Sequence, residues 1–399
     1  MKICMILGHD FLHPHIDPRP YKEAKGLIRK GHDVTIVCWA VDFTGVGKDL
    51  KGLPRTEVFE NIKIVRIFQR LSTPRSTSLI RGFQQLIAMI KMGRKAVEFD
   101  PQIIHCHDLD TLLSGVVAKK RIKVPLIYDS HEDWPGMIAP RGVIKSKLSY
   151  IFEILLIKYV DYTITVSSEL VNMFKIKGQN HIAAIYNSRL LSDSIEEDMS
   201  MDLKKKFDIN DDDFIVGYVG ALSDNRGIDY LIKSVKLVKT SKKNIKLLII
   251  GGPEIEIENL RFIAEKEGAS EKVIFTGHVP YCDIPSYLAL LDVGTSLIQP
   301  EPNHSIAAPG KIFEYMRMKL PMIVSDLKEM EHIVIENNCG ITVDPTNPNE
   351  IAKAIEFYLE NPIELNLRGE RGRLAYENKY SWEKMEEKLI SVYEELICV

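Results

Sequence analysis

The stretch NHSIAAPGKIFEYMRMKLPMIVSD, Asn303 to Asp326, runs from a polar loop broken by Pro and Gly into a short helical pattern and then straight into an apolar strand run. A helix that feeds a buried strand with almost no connection is half of a βαβ unit, so the stretch predicts an α/β fold with parallel strands. Pro309 suits the first helical position. Lys311 and Glu314, three apart, project from one side of the first turn, while Ile312, Phe313 and Met316 form its apolar side. The start of such a helix presents unpaired N–H groups and a positive dipole end, and Lys311 adds a full charge beside them. One turn further on, Glu314 can accept hydrogen bonds from vicinal hydroxyls, as an acidic residue does for ribose in dinucleotide folds. Two readings stand: a nucleoside diphosphate pocket, or a Glu that favours the helix N-terminus and pairs with Arg317.

Working outward, short β-branched apolar runs alternate with helical patterns along the whole chain. In the first half the runs are KICMILG, DVTIVCWA, IKIVRIF, QIIHCHD, PLIYDSH, YTITVS and HIAAIYN; in the second they are FIVGYVGAL, IKLLIIGG, VIFTGHV, VGTSLIQ, PMIVSD and GITVD. Between them lies a polar, acidic stretch from about Ser188 to Asp213, read as a linker followed by an amphipathic helix. The chain is 399 residues long, more than one ordinary core accommodates. The expected domains are therefore 1–187 and 188–380, each Rossmann-like, with a C-terminal helix over 381–399 packing back on the first.

Composition narrows the function classes. A formal charge of -3, with 45% hydrophobic and 27% charged residues, describes a globular protein and argues against general nucleic-acid binding. The six cysteines (Cys4, Cys38, Cys106, Cys282, Cys339, Cys398) include no C-x-x-C pair and read as reduced core residues, which points to the cytoplasm. The N-terminal MKICMILGHD is too short for a signal peptide or a membrane span, and no segment reaches about 18 uninterrupted apolar residues. Arg81 to Lys95 and Arg141 to Lys158 combine basic with apolar residues. Each reads either as an amphipathic helix packed on a sheet or as a segment that lies on an anionic membrane surface, on the inner face of the cell membrane.

In open α/β sheets ligands gather at the carboxyl ends of strands. In GYVGALSDNRGIDYLI a strand ends at Gly220, passes a polar turn and enters a helix after Arg226 and Gly227; glycine permits close backbone approach and Arg226 can hold a phosphate. Gly251 and Gly252 form a third point of backbone approach, or a simple strand-to-loop turn. In the first half, QIIHCHDLD and PLIYDSHED place His105 and His107 with Asp108, and His131 with Glu132 and Asp133, at two strand ends. Ligand pairs at finger or H-E-x-x-H spacing are lacking, so no metal is expected. His131 reads as a hydrogen-bonding or acid/base group, although strand ends also collect structural His and Asp.

With these residues in hand, the chain resembles the family 4 glycosyltransferases of the GT-B fold. The resemblance runs through DPRPYKEAKGLIRKGHDV from Asp17, HCHD from His105, YDSHE from Tyr128, IYNS from Ile185, YVGALSDNRG from Tyr218 and PGKIFEYM from Pro309, in the family's order. It implies two Rossmann-like domains facing each other across a cleft, with a nucleotide sugar, UDP- or GDP-linked, held by the second domain and a glycan or lipid-linked acceptor mostly by the first. Transfer would retain the sugar's configuration and need no metal or other cofactor. The ribose-binding Glu of the family falls on Glu314, the cleft His on His131, the phosphate-binding Lys on Arg226 and the adjoining Arg on Ala221. Donor contacts are then assigned to Gly220, Ala221, Arg226, Gly251, Gly252, His304, Ser305, Pro309, Gly310, Lys311, Ile312 and Glu314, and acceptor contacts to Asp17, Arg19, His107, Asp108 and Glu132. His131, Arg226 and Lys311 take the catalytic roles.

Two departures accompany the match. Ala221 removes a cation that Lys311 would replace, and Ile306 stands where the family's second acid would contact the sugar, leaving Asn303, His304 or Ser305 to do so. The alternatives are a sugar-nucleotide epimerase of the same fold and a catalytically silent nucleotide-binding partner.

Overall fold

The computed structural model describes residues 1–13, 15–40, 52–68, 78–190, 197–240, 243–301, 306 and 308–397. The chain divides into two units, Met1–Ile185 with Glu386–Val399, and Tyr186–Met385. The break therefore falls two residues before the expected one. Ser188 and Arg189, read from sequence as linker, are buried residues of the second unit.

The first unit is built on an eight-stranded sheet: β1 (Lys2–Leu7), β2 (Asp33–Trp39), β3 (Thr56–Phe59), β4 (Ile62–Ile67), β5 (Ile103–His107), β6 (Leu126–Ser130), β7 (Tyr162–Thr165) and β8 (Ile182–Ala184). The order is β3-β4-β2-β1-β5-β6-β7-β8. All neighbours are parallel except β3 and β4, an antiparallel hairpin turned through Glu60 and Asn61, both at positive φ. Its helices are α1 (Pro18–Arg29), α2 (Ser78–Val97), α3 (Leu109–Ile122), α4 (Trp134–Ile138), α5 (Val143–Ile157) and α6 (Ser168–Ile176). The strands are apolar runs because both faces are covered: all of β1 after Lys2 is buried, and Cys4, Ile6, Val37, Ile104, Cys106 and Tyr128 share one core with Leu112 and Val116 of α3. Of the cysteines, Cys4, Cys38, Cys106 and Cys339 are buried as expected, whereas Cys282 is exposed and Cys398 lies outside the described residues.

The second unit holds six parallel strands, β9 (Asp213–Val219), β10 (Asn244–Ile250), β11 (Val273–Phe275), β12 (Val293–Ser296), β13 (Met322–Ser325) and β14 (Gly340–Val343), ordered β11-β10-β9-β12-β13-β14. Around them lie α7 (Glu197–Lys206), α8 (Ile228–Leu237), α9 (Glu254–Glu267), α10 (Ile284–Leu288), α11 (Gly310–Arg317), α12 (Lys328–Glu336), α13 (Pro348–Glu360) and α14 (Pro362–Ala375). The opening stretch supplies α11 and β13, with Pro309 as the N-cap residue rather than the first residue of the helix. Ile312, Phe313, Tyr315 and Met316 bury its inner side, and the Tyr315 hydroxyl donates to the Thr295 carbonyl of β12 at 2.9 Å.

In each sheet the connections reverse direction at one place, between β1 and β5 and between β9 and β12. Such switch points open a crevice at the strand ends, which is where ligands bind in sheets of this kind. The last helix, α15 (Trp382–Ile397), begins in the second unit, and its residues from Glu386 belong to the first. There Tyr393 is fully buried and its hydroxyl shares a 2.7 Å hydrogen bond with Nδ1 of His105 on β5. Tyr393→Phe should leave that buried nitrogen unsatisfied and cost about 1–3 kcal/mol of stability, read as a lower denaturant midpoint.

Candidate functional site

In the second unit the ends of β9 and β10 almost touch. Gly220 and Gly251 have φ of 128° and 119°, and a Cβ on Gly251 would lie 2.6 Å from the Gly220 carbonyl oxygen. Only glycine allows both the left-handed backbone and this approach. Gly252 is equally closed, since a Cβ there would meet Leu222 at 2.1 Å. At Gly251 and Gly252 there is thus no room for a Cβ, the first closed by backbone and the second by the Leu222 side chain.

Lys311 reaches this place from the first turn of α11. Its ammonium lies 3.6 Å from the centroid of the Tyr218 ring and 3.3 Å from where a Cβ on Gly220 would stand. Withdrawal from water, and the neighbouring charge of Arg226, hold the ammonium well below the usual lysine range. Arg226 closes a short 3-10 turn, Asp224–Arg226, before α8. Neither side chain has a carboxylate partner among the described residues. Two adjacent cations without a carboxylate partner among the described residues, beside the start of a helix, form a candidate anion site, whereas the N–H of Gly220 is already given to the Ile250 carbonyl and that of Gly251 to Oγ1 of Thr276. Ala221 is exposed, and its carbonyl accepts the Tyr218 hydroxyl at 2.5 Å, so it offers no charge of its own.

Glu314 lies one turn further along α11 and is not a solitary surface acid. It is in direct contact with Arg189, whose guanidinium stacks 3.4 Å over the Tyr281 ring, and more loosely with Arg317 at 3.7 Å. The pairing with Arg317 weighed from the spacing is therefore present, but the closer partner is Arg189, which sequence spacing could not indicate across more than a hundred residues. An ionised carboxylate has about four acceptor positions. Ile306 is buried, and Asn303, His304 and Ser305 lie outside the described residues.

In the first unit the expected residues gather around an acid that sequence reading passed over. Asp129, buried at the end of β6, receives Arg19 through Nε and Nη2, both at 2.8 Å, and Nε2 of His131 at 3.1 Å. Arg19 also donates to the Ile185 carbonyl at 2.8 Å and stands 3.2 Å from Glu23. It is 3% exposed, so its charge faces Asp129 rather than solvent. Nδ1 of His131 lies 3.2 Å from Asp108, whose other oxygen accepts the His131 backbone N–H at 3.1 Å. Both ring nitrogens of His131 are thus committed to carboxylates, and what it offers a substrate is positive charge.

Burial alone would lower the His131 pKa, but Asp108 and Asp129 outweigh it and hold the ring protonated well above its usual range. For Asp129, burial would raise the pKa; Arg19 and His131 reverse the direction and keep it well below the usual carboxylate range. Burial, then the charge of Asp129, push Glu23 up to about 8. Removal from water keeps His105 and His107, stacked with ring centroids 4.4 Å apart, below their usual range. Asp17 is the N-cap of α1 and lies 2.9 Å from His9, while Glu132 is exposed. The buried acid in the apolar run LIYDS was the one available signal for Asp129, because a charge in a central strand demands a partner.

Glu23, His105, His107 and Asp129 bring four donor atoms within 4.8 Å of one another. Arg19 stands against both carboxylates of that group, so their compensating charge is a guanidinium, and the set does not suit a divalent cation.

The comparisons with known proteins bear on the family and the fold. Residues 200–392 match the family model described as glycosyl transferases group 1, and residues 21–188 match the one described as glycosyltransferase family 4. An uncharacterized glycosyltransferase of Methanocaldococcus jannaschii is 25% identical over 382 residues, 93% of this chain and 91% of the relative. A capsular polysaccharide biosynthesis glycosyltransferase of Staphylococcus aureus is 27% identical over 184 residues, 46% of each chain. Anabaena HepE, crystallised with UDP-glucose, superposes with a TM-score of 0.72 at 15% identity, over 99% of this chain and 100% of that one, which speaks to the fold alone. The fold and the two matches define a glycosyltransferase of the GT-B class. The chain belongs to the family 4 glycosyltransferases and is an enzyme of the hexosyltransferase type.

Two outcomes test the geometry. Lys311→Met removes a cation that the fold holds without a carboxylate, so at neutral pH the variant should be more stable than wild type and bind nucleoside diphosphate at least about tenfold more weakly. Because the native pKa is depressed, wild type regains stability as pH rises toward the ordinary lysine value of about 10.4, and the gap in denaturant midpoints should narrow over that window. For His131 the sign is opposite. Its raised pKa contributes stability in full below the ordinary value of 6.5, lost as pH climbs through the native pKa, so wild type should exceed His131→Gln most at low pH.

Proposed function

We propose that the protein transfers a hexose from a UDP-linked donor to a hydroxyl of a glycan or lipid-linked acceptor, with retention of configuration and without a metal. The observation that carries this reading is the pair of cations, Lys311 and Arg226, beside the closely packed glycine turns at Gly220 and Gly251. Pyrophosphate oxygens placed there meet two fixed positive charges and the first-turn N–H groups of α11. Such preorganised charge stabilises a departing diphosphate as a divalent cation would. Glu314, braced by Arg189, holds the ribose hydroxyls. UDP is preferred because the fold neighbour HepE was crystallised with UDP-glucose. The acceptor belongs to the first unit, where the charge of His131 and the carboxylate of Asp108 orient it.

Retention by a double displacement needs a nucleophilic carboxylate close to the anomeric carbon. No acid of the second unit is assigned that task. The proposed course is front-face: the sugar–phosphate bond breaks as the acceptor hydroxyl forms the new glycosidic bond on the same face, and its proton passes to a phosphate oxygen of the leaving UDP. Bonds and charge balance with no further reactant. The relative that builds capsular polysaccharide supports a surface glycan as product.

Thermal shift against UDP, GDP and their hexose conjugates tests the donor, since a specific ligand stabilises by mass action and, at about 100 times its Kd, adds about 2.7 kcal/mol. The expected result is a shift with UDP and one UDP-hexose. A larger shift with GDP would overturn the base assignment. Product analysis with chelator present should show undiminished transfer and an unchanged anomeric configuration; donor converted with no acceptor present would mark an epimerase instead.

A further inference from the structure

We propose that the turn at Asp108 is a strained clasp that positions His131, and that Thr111 holds the turn in place. Asp108 links β5 to α3 at φ 63° and ψ 165°, a backbone region essentially confined to glycine. Lys123, at the other end of α3, also has positive φ, but at φ 56° and ψ 42° it occupies the ordinary left-handed region. Asp108 is also the N-cap residue of α3, where an aspartate ordinarily accepts a backbone N–H of the first turn, yet its side chain makes no such bond. Glycine here would relax the backbone, and a capping carboxylate would steady the helix; the chain has neither.

Both departures serve one contact. An oxygen of Asp108 accepts the backbone N–H of His131 at 3.1 Å, and Oδ2 lies 3.2 Å from Nδ1 of the same residue. A single carboxylate thus fixes the main chain and the ring of His131, and Asp129 on Nε2 holds the ring from its other edge. The peptide groups on either side of the Asp108 Cα are pinned in turn. The Asp108 N–H donates to the Asp129 carbonyl at 2.8 Å, and the Thr111 N–H to the Asp108 carbonyl at 3.2 Å. The hydroxyl of Thr111, a buried residue, donates to the His107 carbonyl at 2.6 Å.

Strain retained where glycine would remove it marks a position at which geometry counts for more than stability. What this geometry presents is the half-buried, positively charged ring of His131 at the strand ends. Asp108 and Thr111 act through that ring and are positioning residues; the inference rests on the reading of the first unit as the acceptor side.

Asp108→Asn removes the charge and keeps the shape, whereas Asp108→Gly removes the charge and the strain together. In NMR spectra of the full chain with 15N-labelled histidine, His131 should titrate at lower pH in both variants than in wild type. Asp129, Asp17, Glu23, His107, Asp110 and Glu132 also act on or feel that charge, but all three proteins share them, so the difference reports Asp108. The denaturant midpoint of Asp108→Gly should exceed that of Asp108→Asn, although the freer unfolded chain of a glycine variant works the other way. UDP-induced thermal shift, which resides in the second unit, should be equal in all three. Consumption of UDP-glucose should fall about 100-fold in both variants, as expected when a group is displaced from its working position. Thr111→Val should lower consumption in the same direction, and Thr111→Ser, which keeps the hydroxyl, should restore it. The NMR and midpoint readings need no substrate, so they decide the clasp even if wild type leaves UDP-glucose untouched, a result that would overturn the donor assignment instead. An unchanged His131 titration in Asp108→Asn, a midpoint of Asp108→Gly at or below that of Asp108→Asn, or undiminished consumption in both variants would each overturn the proposal.

Discussion

The first unit is organised around the carboxylate of Asp129. A buried ion is costly unless its partners are fixed around it, and here the partners come from separate elements: Arg19 from α1 and His131 from the segment after β6. Arg19 in turn holds the Ile185 carbonyl, the last residue of that unit before the chain leaves it. The array is electrically closed. Arg19 and His131 carry positive charge, Asp129 and Asp108 negative, and Glu23 retains its proton near neutrality because burial and Asp129 raise its pKa. Removing any one charge strands another in the interior, so this cluster behaves as a single structural group.

The second unit is arranged on the opposite principle. Its candidate site concentrates positive charge that no carboxylate among the described residues pairs with, while Glu314, one turn along α11, is engaged by two arginines. Burying an uncompensated cation works against the stability of the fold, and stability yielded in this way is what binding of an anion restores. The contrast follows the division of labour in the proposed reaction: the acceptor side holds its charges rigidly in place, and the donor side awaits the charge that its substrate brings.

Much of this was legible in the sequence, and unevenly. The six strands of the second sheet and seven of the eight in the first stand out as apolar runs because both faces of a parallel sheet are covered. β3 escaped because it is a four-residue antiparallel edge strand, half of it exposed, whose hairpin turns through Glu60 and Asn61 rather than glycine. Lys311, Arg226 and the glycines were visible because local spacing and strand-end position identify them. The partners were not: Arg189 for Glu314, Tyr218 under Lys311, Asp129 for Arg19 and His131. Each of these contacts depends on chain segments brought together by topology, which no local periodicity encodes. The same holds for Ser188 and Arg189, whose polarity suggested a linker although both are buried.

The setting of Lys311 has a chemical consequence of another kind. A lysine amine is nucleophilic only when it has lost its proton, and surface lysines are almost entirely protonated at neutral pH. Lys311 sits over an aromatic ring beside another cation, which makes its proton easier to lose than a solvated lysine's while no anion is bound; the charge of a bound diphosphate favours keeping it. It is therefore the residue that amine-reactive electrophiles should acylate ahead of the chain's solvated lysines, above all those whose anionic tail mimics a phosphate. The same feature that would grip a leaving group makes the donor pocket open to selective covalent labelling.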